Sequence, residues 1–209
     1  TESLVFNGRV PESEFSRMRA PFQSGEFPAP VKYGYCSVGR VEQGPSVLLD
    51  KTVFCLFPHQ DHYIVPASAV LEVPTNVPAK RAVLAANMET AINGVWDAGL
   101  RQALALAGSE GRIIEMSWFG QGDIAIPLGG AFHSQRLTLK ASQVGQLPPK
   151  LRPRWDYQRR LQLALSLLVD ERLDALISGE SDFAQLPTLA PQLFGRGSVE
   201  LCHRLRYPS

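Results

Sequence analysis

An excess of charge of either sign is missing from this chain. Its 209 residues carry 21 Lys and Arg against 20 Asp and Glu, a formal net charge of +1, so no global field draws it to nucleic acid or to an anionic membrane. Cysteine is scarce. Cys36, Cys55 and Cys202 are scattered and odd in number, which is no disulfide framework and makes a reducing cytoplasm the expected compartment. No apolar run reaches the ~20 residues of a membrane-spanning helix, and no signal-peptide pattern is visible. Internal repeats and low-complexity tracts are lacking too. What is there is an ordinary globular composition, 44% hydrophobic and 20% charged, in a chain long enough to bury a core in one large domain or two small ones.

Glycine and proline punctuate residues 1–30, where only a short helix near 12–18 is expected. Residues 31–41, 52–57, 63–65 and 70–73 read as strands, so the first part is a small β-rich unit. Met88, Ala91, Ile92, Val95, Trp96 and Gly99 then recur at helical spacing, with Asn87 as the expected N-cap and Glu89 as the negative charge of the first turn. A second helical run, 101–107, and an apolar strand, 112–118, follow at once. Almost no turn residues separate the two helical runs, which predicts a missing segment near Leu100–Arg101. Residues 137–144 read as a further strand. Leu161, Ala164, Leu165 and Leu168 form one face of a helix over 158–168. A short helical turn over 186–193, limited by Pro187 and Pro191, and a strand over 198–205 complete the pattern. Strands alternating with helices predict an α/β fold.

Three motifs invite chemistry. Residues 120–125, GQGDIA, match the letters of a dinucleotide fingerprint and follow a strand, but Pro127 and Gly129-Gly130 argue against the helix that must receive the pyrophosphate. A strand-exit loop is the better reading. His59, Asp61 and His62 cluster in sequence. On a strand, His59 and Asp61 would share a face and His62 would point away, so a solvated loop or strand edge is preferred to a metal site. Lys150, Arg152, Arg154, Arg159 and Arg160 make a basic run, expected as a solvated loop and helix face.

Several stretches resemble the medium-chain dehydrogenase/reductase superfamily: KYGYCSVGRV at 32–41, TVFCLFPHQDHYIVPASAVLEVP at 52–74, NMETAINGVWDAG at 87–99, GSEGRIIEMSWFG at 108–120, RLTLKASQVG at 136–145 and LVDERLDALIS at 168–178. Their order is the family order. The resemblance implies a GroES-like β domain over 1–86 lacking its first strands, a partial Rossmann-type domain over 87–145, and C-terminal helices with a closing strand over 146–209. It also locates the expected gap between Gly99 and Arg101, where the family carries the Gly-rich turn.

The implied activity is hydride transfer between NAD or NADP and an alcohol/carbonyl substrate, with a small molecule as partner and a homodimer as the candidate assembly. Zinc is not expected. Gly34-Tyr35-Cys36 stands where zinc-dependent relatives carry Gly-His-Glu, Ala86 falls near another ligand position, and the four-cysteine structural lobe is absent. The cleft candidates implied are Glu89 and Thr90, on the helix that opens on the cleft in relatives. Ser117, Trp118 and Gln143 join them, at strand ends that lie beside the nicotinamide. The alternative is a non-catalytic remnant or oligomerisation module without cofactor binding.

Overall fold

The computed structural model describes residues 2–95, 104, 106–116, 125–195, 198 and 200–208. The first helix is α1 (Glu2–Phe6), and a 3-10 turn over Glu12–Glu14 runs into α2 (Phe15–Met18). Five short strands follow: β1 (Ser24–Gly25), β2 (Val31–Lys32), β3 (Ser37–Arg40), β4 (Thr52–Cys55) and β5 (Val70–Glu72). Then come α3 (Ala79–Ala82), α4 (Ala85–Val95), β6 (Arg112–Glu115), β7 (Thr138–Ala141) and α5 (Tyr157–Leu167). Then follow β8 (Gly179–Asp182), α6 (Leu186–Leu193) and β9 (His203–Arg206), with short helical turns at Ala67–Ala69, Leu128–Phe132, Glu171–Leu176 and Phe183–Gln185 between the elements. The fold is mixed α/β. Among the described residues the sheets have two or three strands and none closes into a barrel. No described helix is long and apolar enough to cross a membrane.

The chain packs as two compact units, Thr1–Ala86 with Leu165–Ser209, and Asn87–Ala164. In the first, β3, β4 and β5 form an antiparallel sheet with Val38 opposite Phe54 and Phe54 opposite Leu71. β4 is its central strand, and Val53, Phe54 and Cys55 are all buried, as the unbroken apolar run TVFC requires of a strand covered on both faces. β8 and β9 pair in parallel, with Asp182 opposite Arg206.

The expected strand over 31–41 is interrupted at 33–36. Gly34 takes φ +129°, and a Cβ there would lie 3.0 Å from the His59 ring, so this backbone bends to admit His59 rather than continuing a ladder. Residues 63–65 form no strand; the Tyr63 ring instead stacks on Phe57, centroids 3.8 Å apart. β8 was not expected at all. The short helical turn expected over 186–193 is an eight-residue helix, with Pro187 in its first turn, where a missing N–H costs nothing.

In the second unit β6 and β7 pair in parallel, Ile113 opposite Leu139 and Glu115 opposite Ala141. Leu104, Ile113 and Leu137 form a buried cluster in this unit, with Ala107, Ile126, Phe132 and Leu139 packed on it. α4 starts at Ala85, so Asn87 lies inside the helix rather than capping it and Glu89 lies beyond the first turn. Upstream, α3 supplies a helical lead-in that apolar periodicity alone did not reveal. α5 is capped by Asp156, whose Oδ1 accepts the Arg159 N–H at 2.7 Å. Leu161, Ala164, Leu165 and Leu168 are buried, as their spacing predicts.

Candidate active site at the parallel strand exits

Parallel pairing makes two strands end on the same side, and ligands of open α/β sheets bind beyond such carboxyl ends. The β6–β7 ladder extends one residue past β7, where the Ser142 N–H donates to the Glu115 carbonyl at 2.8 Å. Gln143 follows immediately and is exposed, its carbonyl accepting the Gln146 N–H at 2.9 Å in a tight turn. The Gln143 amide folds back over Gly145, where a Cβ would lie 2.8 Å from the amide oxygen, so a side chain at 145 would push the exposed Gln143 side chain aside.

Three side chains hold the carbonyls of this loop. Arg160 Nη2 donates to the Val144 oxygen at 2.6 Å, the Tyr157 hydroxyl to the Gly145 oxygen at 2.9 Å, and Arg152 Nε to the Leu147 oxygen at 3.0 Å. Arg160 also donates through Nε to Glu89 Oε1 at 3.0 Å. Its side chain is 2% exposed and that of Glu89 10%. Burial raises the Glu89 carboxyl above its ordinary value, and the charge and hydrogen bond of Arg160 oppose that rise without cancelling it.

Of the five cleft candidates, the structure links Glu89 through Arg160 to Val144, the neighbour of Gln143. Thr90 is half-buried beside Glu89. Ser117 and Trp118 lie outside the described residues, as do residues 120–124 and the Leu100–Arg101 junction. Two expectations are corrected. Glu89 is a buried, paired carboxylate in the interior of α4, not a charge at the helix start. Arg160 is a buried anchor, not part of a solvated basic face. Its sequence signal was there: Arg160 precedes Ala164 by four residues and so shares the apolar stripe of α5.

The first unit carries two further polar clusters. His59 Nε2 lies 3.2 Å from Glu2 Oε1 and Nδ1 lies 3.3 Å from the Tyr207 hydroxyl. Asp61 and His62 stand exposed on the same loop, Asp61 Oδ1 accepting the His62 N–H at 2.8 Å. Among the described residues no group of three His, Cys, Asp or Glu could hold a metal ion. The second cluster is Arg81, whose Nε and Nη2 donate to the two carboxylate oxygens of Asp174 at 2.7 and 3.0 Å. Arg81 Nη1 caps the Leu168 and Val169 carbonyls at 3.2 and 2.9 Å. Burial pushes the Cys55 thiol up to about 11 and raises Cys36 as well, so neither is a ready thiolate nucleophile. No family model matches the chain, and no curated protein and no solved structure matches it either.

Proposed function

We propose that the chain is a zinc-independent, NAD(P)-dependent oxidoreductase of the medium-chain dehydrogenase/reductase type, or the part of one that remains when its Gly-rich segment is left out. In this reading β3–β5 belong to a GroES-like domain and β6–β7 to a Rossmann-type sheet. One observation carries it. The parallel register of β6 and β7 brings the chain just after Glu115 and the chain just after Ala141 to one side of the sheet, where such folds bind ligands. The exposed Gln143 amide offers a donor and an acceptor there, suited to a carboxamide such as that of nicotinamide.

NAD or NADP would supply the hydride donor or acceptor. The protein's part is to orient it, with Glu89 and Arg160 fixing the loop that carries Gln143. The fit covers the nicotinamide end alone. A pyrophosphate normally sits on a Gly-rich turn at a helix N-terminus, and the short helical turn Leu128–Phe132, entered through Pro127, is broken by non-helical backbone at Gly130.

Intact mass and turnover of the protein isolated from its native source test the reading. A mass well above 23.0 kDa, with NAD(P)H-linked alcohol/carbonyl turnover and no stoichiometric zinc, is expected. A mass of 23.0 kDa without turnover would establish the non-catalytic module instead, and stoichiometric zinc would contradict the zinc-free assignment.

A further inference from the structure

A cleft of about 540 Å³ in the first unit is lined by Lys32, His59, Gln60, Asp61, Phe183 and Tyr207, among others, a size within the ~300–1,000 Å³ of small-molecule sites. It has an aromatic half and a charged half. The aromatic half follows from strand register. Asp182 lies opposite Arg206 in the parallel β8–β9 pair, so the next residues, Phe183 and Tyr207, meet and stack with centroids 4.8 Å apart at 29°. His59 fixes the Tyr207 hydroxyl at 3.3 Å and is itself held by Glu2.

The charged half is built by the loop after β4. Gln60 accepts from Lys32 Nζ and donates to the His62 carbonyl, so it sets the ammonium beside the turn that presents Asp61. Asp61 Oδ2 lies 3.7 Å from His62 Nδ1, and its side chain remains 55% exposed. One cation and one anion thus flank a flat apolar wall, in a unit where the enclosing backbone is ordered by β1–β2 and β8–β9 pairing.

We propose that this cleft binds a small zwitterion carrying a flat ring, with an aromatic amino acid as the simplest case. The ring would lie against Phe183 and Tyr207, the carboxylate would meet Lys32, and the ammonium would meet Asp61. A ligand with only one of the two charges forms only one of the two ionic contacts, which is how such a site discriminates. The site is independent of the strand-exit chemistry in the other unit.

Saturation-transfer difference NMR on the 209-residue protein tests it with three probes: L-tryptophan, indole-3-propionate, which lacks the ammonium, and tryptamine, which lacks the carboxylate. L-Tryptophan should give saturable transfer strongest on its ring protons and bind tighter than either analogue. Lys32→Met and Asp61→Asn, both at exposed positions, should each weaken L-tryptophan about tenfold, the size of one lost charge-assisted hydrogen bond. Lys32→Met should leave tryptamine unchanged, and Asp61→Asn should not weaken indole-3-propionate. Absence of saturable L-tryptophan binding, equal affinity for all three probes, or binding untouched by both substitutions would each overturn the proposal.

Discussion

Arg81 in the first unit and Arg160 in the second are both nearly shut off from solvent, at 6% and 2% exposure, and each is paired with a carboxylate. The carboxylates respond in opposite directions. Asp174 is 34% exposed and takes two hydrogen bonds from Arg81, with Lys80 Nζ 3.2 Å away; its hydrogen bonds with Arg81 hold it far below its ordinary value of 3.8. Glu89 is 10% exposed and has one such bond from Arg160, and burial prevails, raising it above its ordinary 4.5. The same ion pair is therefore a charge stabiliser where water still reaches the carboxylate and two donors grip it. It is a desolvated pair, held mainly by geometry, where neither is true.

The largest expected effect comes from cutting the more buried pair. Arg160→Met strands the Glu89 carboxylate and removes the donor to the Val144 carbonyl. It should cost about 3–5 kcal/mol in urea unfolding, whereas the double substitution Glu89→Met/Arg160→Met should recover most of that loss. Arg81→Met should cost less, because Asp174 can be rehydrated in place. Equal losses in the two single variants would erase the contrast.

The pH dependence should separate the pairs by sign. Asp174, lowered on folding, contributes stability that is present above its ordinary 3.8 and is lost as pH falls through its folded value. Glu89, raised on folding, contributes stability that is present below its ordinary 4.5 and is lost as pH rises through its folded value. Asp174→Asn should therefore flatten the acid side of a stability–pH curve measured by denaturant titration, and Glu89→Gln should remove a decline on the side above pH 4.5. Slopes of the same sign in both variants would contradict the account. The smallest effect expected is for Tyr157→Phe, which removes one exposed hydrogen bond to the Gly145 carbonyl and should cost no more than about 1 kcal/mol.

Periodicity made much of the fold legible. The buried face of α5, the central strand β4 and the strand β6 all announce themselves as apolar patterns. What escaped were features that lack such a pattern. β8 is GESD, four residues without a large apolar side chain, and it is a strand because β9 is there to pair with it. The sequence puts the start of α4 three residues late, because Asn87 is a good cap by residue type. The chain instead reaches it already helical through α3. At the candidate site the resemblance points to Glu89 and Gln143, whereas Arg160, which ties Glu89 to the carbonyl of Val144 beside Gln143, reads in the sequence as surface charge. A charged residue at i−4 from a buried alanine belongs to the core-facing stripe, and its partner must then be sought among the carboxylates of another helix.

The central proposal is that the chain just after β6 and the chain just after β7 would form the nicotinamide end of a cofactor site, with Arg160 holding the second in place. An NADH titration of the 209-residue protein, followed by backbone amide shifts, tests it directly. The account predicts shifts at residues 115–116 and 141–144 that grow through millimolar NADH without saturating in the micromolar range, and that vanish in Arg160→Met if that variant is folded. Saturable micromolar binding, or millimolar NADH that leaves those amides unmoved, would contradict it.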